Sequence, residues 1–333
     1  MVEERIWKTP RSNYQRLLPN AIEVKSRGYS KRLARVLTDF GSEHSFALAA
    51  QQVQEHYGFQ ISASAVRQAT LEHAQRARQM LHEKYQESFR MLPAQGAEHV
   101  VAQVDGTMIC TVAPGKRKGK RPRDWKEARL SASQALGSVQ VVYGAGFSDV
   151  AQTGRRWGHC AREAGWGLNT RIHAVGDGAE WIRAQTLEVF GKQGSFLCDF
   201  YHVSEYLGGA APSCRSENPD QWRRTQQARL KRGAADKVMK ELIEHMEPTS
   251  IPEEQAPVRR CHRYLENRKD SLDYASALKL GLPIGSGMIE SGHRHVLQAR
   301  LKKAGTAWLE NNADAIAHLR VVRANGNWQS FWN

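Results

Sequence analysis

Apolar residues recur at helical spacing across residues 42–91, a stretch that contains no proline. The pattern predicts one helix over Phe46–Tyr57 and a second over residues 62–74, with Ser62 as its N-cap. Gly58 lies where a left-handed residue would end the first helix. The sequence therefore predicts a compact pair of helices near the amino terminus.

The helix pair has two interpretations. A helix-turn-helix would place the second helix in a DNA major groove, with Gln68 and Glu72 outward and Arg67 at the edge of the exposed face. A plain helical hairpin explains the same pattern equally well.

The hydrophobic period changes at His99, where a short β-branched run ends at Asp105 and Gly106, as expected of a buried strand. Two further strands are predicted over residues 128–135 and 138–145, with a turn at Leu136 and Gly137 between them. Later segments alternate between helical and strand patterns: helix 150–164, strand 171–176, helix 180–190 and strand 195–199. This order predicts an α/β domain with a mixed sheet flanked by helices.

The pattern becomes helical again over residues 208–280, where it is polar, rich in charge and interrupted by Pro248, Pro252 and Pro257. We interpret this stretch as an α-helical insertion, after which the mixed domain resumes at Gly281 and continues as a helix to about Lys303. The expected segments are a helical amino-terminal DNA-binding region (1–95), the first part of the core (96–207), the insertion (208–280) and the closing helices (281–333).

Composition narrows the possible functions. The chain has 333 residues, with 48 Lys and Arg against 34 Asp and Glu, so its formal charge is +14. Such a surplus favours a polyanionic partner. No run of 18 apolar residues occurs and the amino terminus has no apolar signal core, so we expect a soluble, cytoplasmic protein that does not bind membranes. The five widely spaced cysteines form no C-x-x-C pair, which predicts reduced structural thiols.

Three carboxylates are the candidates for chemistry. Asp105 and Asp177 are predicted at strand ends beside glycines, and Glu290 is predicted near the start of a helix. Ligands of α/β sheets gather at the carboxyl ends of strands, and hard divalent cations prefer clustered carboxylate oxygens. Each residue alone also fits a structural role, as a turn cap or a solvated residue of a first helical turn.

Four motifs in this order resemble bacterial insertion-sequence transposases of the Kra type, which are relatives of the Mutator-like group. The resemblance covers residues 100–333. Its motifs are Asp105-Gly-Thr, Gly176-Asp-Gly-Ala-Glu-Trp-Ile, Asp199-Phe-Tyr-His and Leu282-Pro-Ile-Gly-Ser-Gly-Met-Ile-Glu. Residues of the tail, among them Arg294, Arg300, Lys302, Gly305 and Trp308, follow in the family's order.

The resemblance implies an RNase H-like catalytic domain in which Asp105, Asp177 and Glu290 are a DDE triad that binds two Mg²⁺ or Mn²⁺ ions. It also implies an accessory role for Asp199 and His202. His202 either orients a scissile phosphate or is a partly buried histidine bonded to Asp199, and both interpretations stay open. His293 departs from the family, because a small residue or cysteine is common at that position.

Basic residues are the candidates for DNA contacts. Residues 116–126 hold seven Lys or Arg and form either a backbone-binding segment or a solvated loop. Others accompany Glu290 on its predicted helix or lie on the second amino-terminal helix. The predicted DNA-binding residues are Arg67, Lys116, Arg117, Lys118, Lys120, Arg121, Arg123, Arg294, Arg300 and Lys302.

The leading hypothesis from the sequence is a DNA transposase of a mobile element, which cuts phosphodiester bonds at the element ends and joins the free 3′-hydroxyl to target DNA. Its expected partner is double-stranded DNA, its expected location the nucleoid, and its expected state a homo-oligomer, since two ends must be brought together. The alternatives are an RNase H-like nuclease without strand transfer and a DNA-binding protein without catalysis.

Overall fold

A computed structural model describes residues 28–87, 91–115 and 122–333, together with the backbone of three short strands before them. The chain divides into two compact units, each built from separated segments. The first unit contains Met1–Glu83, Met108–Lys126 and Arg294–Asn333. The second unit contains Lys84–Thr107 and Glu127–His293.

The first unit begins with three helices, α1 (Lys31–Glu43), α2 (Phe46–Tyr57) and α3 (Ala63–Glu87). Each helix starts at a serine whose hydroxyl accepts a hydrogen bond from the backbone N–H three residues later. Gly58 adopts the left-handed conformation after α2. The two predicted helices are confirmed. Helix α3 continues well past residue 74, however, and α1 was not predicted.

The core of these three helices is small. The buried side chains are Leu37, Ala49, Val53, Val66 and Ala69. Short antiparallel pairs precede the helices, joining Trp7–Lys8 to Tyr14–Gln15 and Val24–Lys25 to Tyr29–Ser30.

The largest sheet in the described residues has five strands, in the order β3-β2-β1-β4-β5. Strand β2 pairs antiparallel with β3, whereas β1, β4 and β5 are parallel neighbours. The strands are β1 (His99–Val112), β2 (Arg123–Ala135), β3 (Val142–Gly146), β4 (Arg171–Gly176) and β5 (Gly194–Cys198). The sheet confirms the predicted mixed α/β class.

Two helices of the second unit, α4 (Val150–Glu163) and α5 (Glu180–Phe190), bury their apolar faces in one cluster with the sheet. Trp157 from α4 and Ile182 from α5 are almost fully buried there, against Val100 and Ile172 of the strands. Both helices and strand β4 have their predicted bounds to within one residue.

The predicted insertion is all-helical, as expected, but it begins earlier, because Asp199 caps a helix that starts at Phe200. Its apolar core contains Leu207, Leu230, Leu242 and Leu265, none of which is exposed, and it extends to Val175 and Leu197 of the sheet. The helices of the insertion are α6 (Phe200–Cys214), α7 (Pro219–Lys231), α8 (Ala235–Glu244), α9 (Pro257–Glu266) and α10 (Tyr274–Lys279). Three-residue 3₁₀ turns lie within it at Glu253–Gln255 and Lys269–Ser271, and another precedes β5 at Gly191–Gln193.

The predicted helix after the insertion runs without a break from Gly287 to Leu301, but it is not α-helical throughout. Helix α11 (Gly287–Gly292) passes into one π-helical stretch, His293–Gln298, and then a short α-helical turn, Ala299–Leu301. The chain closes with α12 (Glu310–Ala324) and α13 (Trp328–Trp332).

All five cysteines are buried free thiols, which confirms the expectation of reduced structural cysteines. Burial raises the pKa of Cys198 to about 11 and that of Cys160 and Cys261 to about 12. Within the described ranges, no helix is both long enough and apolar enough to cross a membrane.

The helical insertion gives a test of the fold. Leu207→Ala should lower the free energy of unfolding of the second unit by about 2–5 kcal/mol, because it removes buried methyl groups and leaves a cavity. Urea denaturation would measure the change. The control is Leu187→Ala, since Leu187 is 72% exposed. An equal effect of both substitutions would contradict the assigned core.

Candidate functional site

Three aspartates lie in register across neighbouring strands of the second unit. Residues of β1 and β4 pair with an offset of 72, and the same offset carried two residues further relates Asp105 to Asp177. Strands β4 and β5 pair with an offset of 22, which relates Asp177 to Asp199. The strand β1 continues through Asp105 to Val112, so the expectation that Asp105 ends its strand was wrong. Asp105 instead lies two residues after Gln103, the last residue of β1 that pairs with β4.

Asp199 is a fully buried carboxylate at the start of α6. Its Oδ1 accepts hydrogen bonds from the backbone N–H groups of Tyr201, at 2.6 Å, and His202, at 3.4 Å. Its Oδ2 accepts one from the N–H of Ser286, at 2.7 Å, and another from the Ser286 hydroxyl. Burial alone would raise the pKa of Asp199, but the donors from His202, Ser286 and Tyr201 outweigh it and hold the pKa at about 2.

Buried polar groups of strands β1 and β4 hold the segment before Glu290. Gln103 of β1 donates to the carbonyl of Gly285 and accepts from the N–H of Ile289, at 3.1 and 2.9 Å. His173 of β4 lies 2.8 Å from the carbonyl of Pro283. Because these groups are out of contact with water, breaking one bond would leave its partner unsatisfied. The backbone that leads into α11 is therefore held at the sheet edge.

Ser286 connects this attachment to Glu290. Its hydroxyl hydrogen-bonds to Asp199 and also lies 3.5 Å from Glu290 Oε1. Glu290 itself is exposed, one turn into α11. The structure thus brings Asp199, Ser286 and Glu290 together.

The turn that carries Asp177 is held by the helical insertion. The Asp177 side chain accepts from the N–H of Ala179 at 2.9 Å, which closes the turn. Tyr264 of α9 donates its hydroxyl to the Asp177 carbonyl at 2.6 Å, and Arg268 donates Nε to the Gly178 carbonyl at 3.0 Å. Gly178 has a φ of +85°, and a Cβ added there would lie 2.2 Å from Arg268 Nε. The insertion therefore fixes the backbone of the second aspartate.

His293, read from the sequence only as a departure from the family, lies beside Asp105. Its Nε2 is 3.2 Å from Asp105 Oδ2, and its side chain is 5% exposed. A signal for it was present in the sequence, since Glu290 and His293 are three residues apart and share one face of a helix. The other supporting residues, Gln103, His173 and Ser286, gave no signal of this kind.

His202 pairs with Asp199 in the structure. Its Nδ1 lies 3.7 Å from Asp199 Oδ2, while 41% of its side chain stays exposed. This ion pair raises the pKa of His202 to about 9, against partial burial, which acts to lower it. At neutral pH His202 is thus a partly exposed cation. The pairing agrees with one of the two interpretations open from the sequence, and contact with a phosphate stays a prediction.

The carboxylates do not form a ready-made metal site. Across the part of the chain that the structure describes, no three His, Cys, Asp or Glu side chains come together as a group that could hold a metal ion. The donor set nevertheless suits hard cations, because Asp105, Asp177 and Glu290 all offer carboxylate oxygens. Like charges also repel when no cation lies between them.

The predicted DNA contacts fall into three groups. Lys116, Arg117, Lys118, Lys120 and Arg121 lie outside the described residues. Exposed positions are occupied by Arg67, Arg123, Arg294 and Lys302. Arg300, which was predicted to contact DNA with these residues, is only 2% exposed, so it is a buried residue.

The carboxyl-terminal half of the chain matches a family without a known activity. Residues 167–330 match the model of an uncharacterised protein family, UPF0236. No curated protein matches the chain. The matched segment includes Asp177, Asp199 and Glu290, whereas Asp105 lies before it.

The Asp199–His202 pair predicts a pH dependence of stability. The folded pKa of His202 is about 9 and its unfolded value about 6.5, so the stabilisation is complete below about pH 6.5 and is lost as pH rises through about 9. Because the folded pKa of Asp199 is about 2 and its unfolded value about 3.9, Asp199 keeps its charge and its contribution to stability down to about pH 4. Urea unfolding of the wild type and His202→Gln should therefore differ most between about pH 4 and 6.5.

The matched control for this experiment is His245→Gln, which removes an exposed histidine of the insertion. A wild-type advantage over His202→Gln that grew above about pH 9 would contradict the assigned ion pair.

Gly178 gives a second test of the site. Gly178→Ala should lower the free energy of unfolding by about 1 kcal/mol more than Gly281→Ala, because only the former displaces Arg268 from its hydrogen bond. Gly281 is the matched control, since it also has a positive φ, of +68°, but has open space around its Cβ position. Chemical denaturation compares the two, and equal losses would show that Arg268 does not hold the turn.

Proposed function

We propose that this protein is a DNA transposase that cuts phosphodiester bonds with Asp105, Asp177 and Glu290 as a DDE triad. The observation that carries the proposal is the attachment of the Glu290 segment to strand β1, through Gln103, and to Asp199, which directly follows β5. That attachment supports the gathering of carboxylates from three distant parts of the chain at one edge of the sheet.

The order of elements supports an RNase H-like fold for the second unit. Three strands, a helix, a strand, a helix, a strand and a helix follow one another, as the resemblance implies. The all-helical insertion lies between the second aspartate and the glutamate, also as it implies. The family match does not bear on activity.

The proposed reaction has two phosphoryl transfers. In the first, a water oxygen bonds to phosphorus and the bond to the 3′ oxygen breaks, which leaves a 3′-hydroxyl. In the second, that hydroxyl attacks a phosphodiester of the target and displaces a 3′-hydroxyl of the target strand. Two Mg²⁺ or Mn²⁺ ions, when bound, would activate the attacking oxygen and neutralise the leaving one.

The protein's own residues hold and orient the carboxylates. His293 lies against Asp105, the insertion holds the turn of Asp177, and Ser286 lies between Asp199 and Glu290. Residues that hold a metal-ligating carboxylate in place also affect metal binding, because the orientation of the carboxylate sets how tightly the ion is bound. Double-stranded DNA is the proposed substrate, and a homo-oligomer the proposed active state.

The three carboxylates are tested by Asp105→Asn, Asp177→Asn and Glu290→Gln. Each should lower cutting of the DNA that flanks the gene by at least about a hundredfold, in Mg²⁺ or Mn²⁺, while DNA binding stays. Gel assays of cleaved and joined strands give the rates. The control is Asp220→Asn, which removes a carboxylate that is 73% exposed in the insertion.

Other outcomes would select the alternatives. Cutting without joined products would replace the transposase with a nuclease. DNA binding without cutting by the unsubstituted protein would indicate a DNA-binding protein without catalysis.

A further inference from the structure

A groove of about 1480 Å³ lies within the first unit. Three arginines reach it from separate elements: Arg67 from α3, Arg123 from the start of β2, and Arg300 from the turn before Gly305. No Asp or Glu occurs among the described residues that line the groove. Its remaining lining residues are Ser45, Phe46, Leu71, Val112, Gly305, Thr306, Ala307, Trp308, Leu309 and Asn312.

Arg300 is a buried charge in the wall of this groove. Its guanidinium lies 4.7 Å from the ring centres of both Phe46 and Trp308, and its Nε donates to the Gly41 carbonyl at 3.0 Å. Its Nη2 is buried and has no hydrogen-bond partner in the described part of the chain. A buried cation with so few partners is costly, and its field is screened less than that of a surface charge.

Hydrogen bonds hold the part of the groove wall that Trp308 forms. The Trp308 N–H donates to the Cys110 carbonyl at 3.0 Å, and the Trp308 carbonyl accepts from Val112 at 2.8 Å. The indole N–H donates to the Leu301 carbonyl at 3.2 Å. The chain around Trp308 is thereby attached to the end of β1, so the groove is formed before a ligand arrives.

We infer that this groove binds the sugar-phosphate backbone of duplex DNA. Arg67 and Arg123 contact phosphates, and the buried charge of Arg300 in the groove wall adds positive potential. This inference rests on the proposed function for its ligand, but it concerns a site away from the carboxylates. Arginine presents a planar fork of donors that matches a phosphate.

The aromatic residues argue against an unpaired base as the ligand. Stacking needs a free ring face. Trp308 is only 8% exposed, and the Arg300 guanidinium lies over its ring and over that of Phe46. The groove therefore offers charge and shape instead of a stacking surface, which suits the regular backbone of a duplex.

The test is fluorescence anisotropy of a labelled DNA duplex with the full chain in EDTA, at salt concentrations between about 50 and 200 mM. Arg67→Gln and Arg123→Gln should each weaken binding about tenfold and reduce the slope of log affinity against log salt by about 1. Arg32→Gln is the matched control, because Arg32 is an exposed arginine of α1 outside the groove. Thermal unfolding verifies that each variant folds.

Arg300→Met keeps the length of the buried side chain and removes its charge. A folded Arg300→Met protein should also bind the duplex more weakly, although Arg300 is not exposed. If this variant does not fold, Arg67→Gln and Arg123→Gln still decide the question.

Two results would overturn the inference: affinities and salt slopes of both groove variants equal to those of Arg32→Gln, or tighter binding of a single strand than of the duplex. EDTA separates this test from the proposed function. If the carboxylate variants lose cutting but the groove variants bind the duplex normally, only the groove inference fails. If the groove variants bind more weakly but the carboxylate variants still cut, only the proposed triad fails.

Discussion

The second unit is organised around one buried negative charge. Asp199 has no exposure to water, so its carboxylate must be satisfied by protein donors. Those donors come from two distant segments, the first turn of α6 and Ser286. Satisfying this charge fixes both where the helical insertion begins and how the chain enters α11. The position of Glu290 follows from a charge that the proposed chemistry does not itself use.

Elements whose side chains alternate or repeat along the sequence could be predicted closely. Strand β4 and helix α5 have their predicted bounds, since their apolar positions follow a clear period. Strand β1 could not be predicted to its end, because Gly106 resembles a terminator while pairing with β2 carries the strand onward. Helix α1 was missed although Leu33, Leu37 and Phe40 recur at helical spacing and pack into the core of the three helices, so its sequence did carry a signal.

The residues of the candidate site were also only partly predictable from the sequence. The acidic residues could be identified because carboxylates beside glycines can be recognised in a single sequence. The residues that hold them could not, because Gln103 and Ser286 act through contacts across 186 and 87 residues of chain. Arg300 is a further case: the sequence grouped it with the basic residues predicted to contact DNA, but its neighbours Phe46 and Trp308 enclose it. The local sequence thus indicates which residues can take part in a reaction, whereas tertiary packing decides which residues hold them in place.

The cysteines give the molecule built-in reporters of local opening. Cys198 contacts the Tyr264 hydroxyl at 3.2 Å, directly behind the turn of Asp177, whereas Cys160 lies in α4. Since only the thiolate reacts, burial and a raised pKa protect both thiols in the closed state. A detachment of the insertion would expose Cys198 while Cys160 stays buried, so the order in which these two thiols are alkylated would distinguish local opening at the Asp177 turn from unfolding of the sheet and its helices.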